Sequence, residues 1–222
     1  MNRTRAYATT SGIALPKRPA VPAGEACGPF PTAVVRDLRD RSGRSPRELS
    51  FGPDDLVVVT GLPGSGKSTL MRRAVPGRRI DSQDTRDRYD ARLPRVLPYA
   101  VYRPFVRLAH YGGLWRALRS GEGVVVHDCG TQAWVRGWLA REARRRGGTL
   151  HLLLLDVTAG QARDGQRERG RGVSRYAFAR HRGAMTRLLR QVEKGRLPEG
   201  CGSAVLIDRD AADALKRIDF AG

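Results

Sequence analysis

Leu56-Val57-Val58-Val59-Thr60-Gly61-Leu62-Pro63-Gly64-Ser65-Gly66-Lys67-Ser68-Thr69 decides how the chain is read. An apolar, β-branched run of strand length enters a glycine-rich turn, and helix-compatible residues begin at Lys67. Gly61, Gly66, Lys67 and Ser68 meet the pattern G-x-x-x-x-G-K-(S/T). Glycines let backbone N–H groups converge on an anion where side chains would block them, and the following helix aims its positive end at the same place. Residues Gly61 to Thr69 therefore read as a cradle for a nucleoside triphosphate tail. Lys67 spans the β- and γ-phosphates, and the Ser68 hydroxyl ligates Mg²⁺.

Outward from this stretch, short apolar runs alternate with helix-period segments. The strands expected are Leu56–Thr60, a short one ending at Ile80, Val124–His127, Leu150–Val157 and Ala204–Ile207. Helices fit Lys67–Ala74, Tyr102–Arg119, Thr131–Arg146, Ala159–Arg169, Ser174–Lys194 and Ala211–Ile218. The pattern predicts an α/β fold with a doubly wound, five-stranded parallel sheet, whose ligands sit at the carboxyl ends of its strands. Residues 1–50, rich in Pro, Gly and Arg, read as a flexible basic extension with one short helix around Ala33 to Arg41. Residues 51–222 form the nucleotide-binding domain.

With 41 Lys and Arg against 22 Asp and Glu, the formal charge is +19. That charge suits phosphate-rich partners, nucleic acid among them. Only Lys17, Lys67, Lys194 and Lys216 are lysines, so the arginine bias also fits a GC-rich coding preference. No apolar run has membrane-spanning length and no secretory leader is evident, so the reading is a cytoplasmic protein without a membrane partner. Cys27, Cys129 and Cys201 lack disulfide or zinc spacing and read as reduced thiols.

The form G-x-P-G-S-G-K-S-T resembles the loop of small P-loop kinases, a group that includes polynucleotide kinases, chloramphenicol phosphotransferase, zeta-toxin kinases and gluconate kinase. The resemblance runs from residue 55 to about residue 210. It implies the P-loop NTPase fold with kinase-type strand order 2-3-1-4-5 and helices on both faces. It also implies an acidic base and an arginine after the second strand, an aspartate ending the third, and an arginine-rich lid after the fourth.

Ile80-Asp81-Ser82-Gln83-Asp84-Thr85-Arg86 stands where the base belongs. Gln83 occupies the base's usual position and cannot take up a proton, so Asp81 or Asp84 serves instead, with Arg86 gripping an acceptor phosphate or orienting the carboxylate. Asp128, after Val124-Val125-Val126-His127, is placed to hold Mg²⁺ or contact the acceptor. His127 and Asp156 read as structural. The segment Gln166–Val173 matches the lid: Arg169 stabilises transferred charge, Arg167 and Arg171 bind phosphates, and Gly165, Gly170 and Gly172 give hinge freedom. Aromatics between the second and third strands, Tyr99, Tyr102 and Trp115, read as core more than as ligand stack.

The resulting expectation is an ATP- and Mg²⁺-dependent phosphotransferase acting on a hydroxyl of a small molecule, a nucleoside or a nucleic-acid 5′ end. Two other classes stay open: a slowly hydrolysing, regulatory ATP-binding module, and a nucleic-acid-binding protein.

Overall fold

The computed structural model of the chain describes residues 13–14, 34–41, 43–77, 79–81, 99–127, 133–168, 170 and 173–220. Its centre is β4 (Leu56–Gly61), every residue of which is buried. Such a strand needs sheet on both edges and helices on both faces, and its run of valines supplies apolar surface in both directions. On one side it pairs with β6 (Val124–His127), which pairs with β5 (Arg79–Ile80). On the other it pairs with β7 (Leu150–Leu155), followed by β8 (Cys201–Ile207) and β2 (Val34–Asp37). All these pairings are parallel, giving the order β2-β8-β7-β4-β6-β5. Six helices pack around them among the described residues: α1 (Lys67–Ala74), α2 (Tyr99–Leu118), α3 (Ala133–Arg145), α4 (Ala159–Arg167), α5 (Arg175–Glu193) and α6 (Arg209–Ala214).

The sheet has six strands, one more than expected, because the segment expected to be a helix around residues 33–41 is strand β2. Val34 and Val35 are β-branched, and the ladder to β8 continues through Leu38 N, which donates to Leu206 O at 2.9 Å. The helix expected to run to Ile218 stops at Ala214, where Leu215 turns extended. Its last residues belong to β9 (Arg217–Phe220), which pairs in parallel with β3 (Glu48–Phe51), and β3 also pairs with β1 (Ile13–Ala14). This second, three-stranded sheet takes Phe51 and Phe220 into mutual ring contact at 6.0 Å. Strand β3 crosses residue 50, where the sequence places the edge of the domain. Strand β7 ends at Leu155 and not at Val157, because Thr158 caps α4: its side chain accepts from Gln161 N, and Gln161 reaches back to Thr158 N.

At the amino edge of the main sheet a polar network is buried. His151 on β7 lies 2.7 Å from Ser203 Oγ through Nδ1 and 3.0 Å from Asp55 Oδ2 through Nε2. Asp55 also accepts from Gly52 N and Thr149 N, each at 2.7 Å. At the opposite edge, Arg39 donates to Asp37, Asp156 and Glu193, fastening the β2 end to the ends of β7 and α5.

Candidate nucleotide site and its neighbours

Between β4 and α1 the chain makes the turn foreseen from the glycines. Gly64 and Gly66 have φ of 87° and 99°, in the left-handed region, and Gly66 is the N-cap of α1 with no side-chain cap. No acidic residue stands in the first turn of α1. A side chain at Gly61 would meet Leu155 O at 2.7 Å, so the loop lies directly on the end of β7. Lys67 is buried, and its ammonium donates to Gly61 O at 2.9 Å, Leu62 O at 2.7 Å and Ser65 Oγ at 3.3 Å. Its positive charge therefore sits inside the loop, next to the amide end of α1. Ser68 and Ser65 are also buried, Leu62 joins the core, Pro63 is half-buried, and Thr69 is exposed on the outer side of α1. Left-handed glycines, an α1 start with no side-chain cap and a buried ammonium together fit a phosphate chain.

The edge expected to meet an acceptor lies at β6 and β5, the two strands beyond β4. Ile80 is in register with Val126, and Val59 with His127, so Asp81 and His127 emerge side by side at the carboxyl ends of β5 and β6. His127 Nδ1 lies 3.0 Å from Asp81 Oδ1, with side chains only 8% and 2% exposed. His110 of α2 is close by. Burial pushes its imidazole below the ordinary value, His127 adds to the shift, and Asp81 opposes it. His127, expected to be merely packed, is thus the partner of the carboxylate expected to be the base. Sequence reading missed it because one histidine at a strand end carries no signal until the neighbouring strand is in register with it. Asp84, Arg86 and Asp128 fall outside the described residues.

Helix α4 is mated to the phosphate loop. A Cβ on Gly64 would lie 2.0 Å from Ala162 O, and one on Gly165 would lie 2.4 Å from Gly64 O. Gly165 therefore serves close packing and not hinge freedom: it lies buried inside α4. Gln166 Nε2 donates to Pro63 O at 2.8 Å, while its Oε1 accepts from Val173 N at 3.2 Å. One side chain ties the loop to the far end of the expected lid. Arg167 is exposed and pairs with Asp164 at 2.8 Å, whereas Arg169 and Arg171 lie outside the described residues. Between α4 and α5 a cavity of about 500 Å³ is lined by Arg163, Arg167, Arg175 and Arg182 beside Phe178. Only Arg167 of these was singled out from sequence. The others were legible in principle, since residues 163, 166 and 167 face residues 175, 178 and 182 once two helices fold back across a short turn.

Among the described residues no cluster of His, Cys, Asp and Glu has metal-binding geometry, and no helix is long and apolar enough to cross a membrane. Asp208, at the end of β8, caps α6 through Ala211 N and accepts from Asp40 N at 2.8 Å.

No curated protein matches the sequence. The family model described as AAA domain matches residues 56–193, from the first residue of β4 to the last of α5. This match covers more than half of the 222 residues and takes in the loop, the Asp81–His127 edge and α4. By that match, which opens on the strand leading into the nucleotide-binding loop, the chain belongs to the AAA domain family of P-loop proteins.

Proposed function

We propose that the chain transfers the γ-phosphoryl group of Mg²⁺-bound ATP to a hydroxyl group. One observation carries the reading: the buried Asp81–His127 pair stands at the carboxyl ends of β5 and β6, and β6 pairs directly with the strand that leads into the phosphate loop. The Asp81 carboxylate and the His127 imidazole meet at 3.0 Å through Oδ1 and Nδ1, and the imidazole is the less buried of the two. In the reaction, the acceptor oxygen attacks the γ-phosphorus as the bond to the β–γ bridging oxygen breaks. The hydroxyl proton passes to the Asp81–His127 pair, and ADP is the leaving group. Lys67, beside the amide end of α1, balances charge building on the phosphate oxygens, and Gln166 holds the loop against α4 while it does so. Ser68 and Asp128 would hold Mg²⁺, which when bound would neutralise charge on the β- and γ-oxygens.

The test is incubation with γ-labelled ATP and a panel of hydroxyl acceptors. Label should move to an acceptor, and His127→Gln and Asp81→Asn should each slow transfer by roughly 10²-fold or more while leaving nucleotide affinity near that of the unaltered chain. Label recovered only as inorganic phosphate would assign the chain to slow hydrolysis and end the transfer proposal.

A further inference from the structure

Helix α2 is apolar on both sides. Val106, Leu114, Ala117 and Leu118 face the core, but Phe105, Leu108 and Trp115 are 62%, 73% and 50% exposed. At 3.6 residues per turn the last three fall, with Gly112, within an arc of roughly 80° on the side away from the sheet, and span about 15 Å along the axis. Trp115, expected from sequence to be core, is thus a surface residue. Tyr111 flanks this arc and meets the ring of Trp134 at 5.5 Å, and Trp134, at the start of α3, is itself 61% exposed. Two helices therefore present one continuous aromatic surface. Scattered apolar residues need no explanation, but several large rings gathered on one face mark a place where something binds.

Charge says what kind of partner. Arg116 and Arg119 border the aromatic arc, and helix α2 carries no carboxylate. Helix α3 carries exposed Arg141, Arg144 and Arg145 against Glu142 alone, which Arg145 engages at 2.8 Å. The Arg119 guanidinium lies over the Trp115 ring, 4.7 Å from its centroid. A second copy of the chain on this face would set arginine against arginine, which opposes self-association. Flat rings interleaved with arginines, on a chain of formal charge +19, match a ligand with planar bases and a phosphate backbone. A duplex hides its base faces, whereas a single strand offers them for stacking.

We infer that α2 and the start of α3 form a binding face for single-stranded nucleic acid, with Trp115 and Trp134 as stacking platforms and Arg116 and Arg119 meeting phosphates. This face does not depend on the transfer reaction. It is tested with the full chain and no nucleotide, by fluorescence anisotropy of a labelled single-stranded oligonucleotide of about 12 nucleotides. Tryptophan quenching on the same samples gives a second readout. Trp115→Ala and Trp134→Ala should each weaken binding about 5-fold or more, Trp115→Phe should retain most of it, and Arg119→Gln should lower the salt slope by about one. Circular dichroism confirms that each variant is folded. Three results would overturn the inference: an oligonucleotide affinity unchanged in the two alanine variants, equal affinity for duplex, or no binding by the unaltered folded chain. Self-association of the chain that Trp115→Ala abolishes would equally refute it, by assigning the face to a second copy.

Discussion

Adding one methyl group at Gly165 separates two accounts of the contact between α4 and the phosphate loop. Gly165 lies inside a helix, where alanine is favoured over glycine by about 1 kcal/mol, so helix propensity alone predicts a more stable protein. The packing predicts the reverse. The new Cβ would stand 2.4 Å from Gly64 O, a backbone oxygen that can retreat only if the whole loop moves. Overpacking of this kind costs up to about 3 kcal/mol, leaving a net loss of roughly 2 kcal/mol for Gly165→Ala. Two neighbours calibrate the effect. Gly66→Ala meets nothing within 4 Å but must hold a φ of 99°, and it should lose only the left-handed penalty of about 1–2 kcal/mol. Gly64→Ala combines a φ of 87° with an approach of 2.0 Å to Ala162 O and should lose the most, roughly 3–5 kcal/mol. Urea unfolding gives the three stabilities, and calorimetry with Mg²⁺-ATP shows whether the displaced loop still binds. Gly165→Ala matching or exceeding the unaltered chain in stability, with unchanged nucleotide binding, would refute the reasoning.

Three further outcomes follow from named contacts. Asp55 is held below the ordinary carboxylate range: burial acts to raise it, but the hydrogen bond and charge of His151 and the amides of Thr149 and Gly52 outweigh burial. Its stabilising contribution is therefore complete above the unfolded value near pH 4 and disappears as pH falls through the lower folded value, and an acid titration of Asp55→Asn should lack that part of the loss. Arg39→Ala would leave Asp37, Asp156 and Glu193 without their shared guanidinium, and thermal unfolding should show a loss of about 1–3 kcal/mol that shrinks at high salt. Burial pushes the Cys201 thiol up to about 11, against the opposing pull of Arg136, so an alkylating reagent at pH 7.5 should modify it far more slowly in the folded chain than in urea.

What could be read from sequence depended on how local its cause was. The loop and α1 came out with the right boundaries because their signals are adjacent: the valine run, Gly66 where a left-handed cap is needed, and helix formers after it. The central strands were legible for a similar reason, since burial on both faces writes an unbroken apolar run such as Leu152 to Leu155. β2 and β9 were not, because a four-residue edge strand carries almost no pattern of its own. Arg217-Ile218-Asp219-Phe220 continues the α6 periodicity well enough to pass for helix, and only pairing with β3 makes it extended. His127 was missed on the same grounds, as its meaning lies in the register of β5 against β6. Trp115 was a different failure: placing it with Phe105 and Leu108 on a helical wheel, opposite Val106 and Leu114, would have shown an apolar helix with more rings than one core face can take.

The Asp55–His151–Ser203 array invites comparison with a nucleophilic triad, and its position argues against that. Ser203 and His151 are both buried, and the array lies at the amino edge of a parallel sheet, away from the strand ends where ligands gather. Asp55 spends its remaining oxygen capacity on two backbone amides, as a structural carboxylate does. The imidazole bridges β7 to Ser203 on β8 and to the turn that launches β4, so it fixes those three segments where they enter the sheet. Rigidity there has a use at the other end. Gly61 must lie within van der Waals reach of Leu155, and the loop between β4 and α1 keeps its shape only if β4 and β7 cannot slide past each other. A register shift of one residue would set the loop against a different part of β7 and separate Gly64 from Ala162. The network at the amino edge and the glycine contacts at the carboxyl edge are thus two constraints on one register, and weakening the first should loosen the nucleotide loop without any change to a residue that touches it.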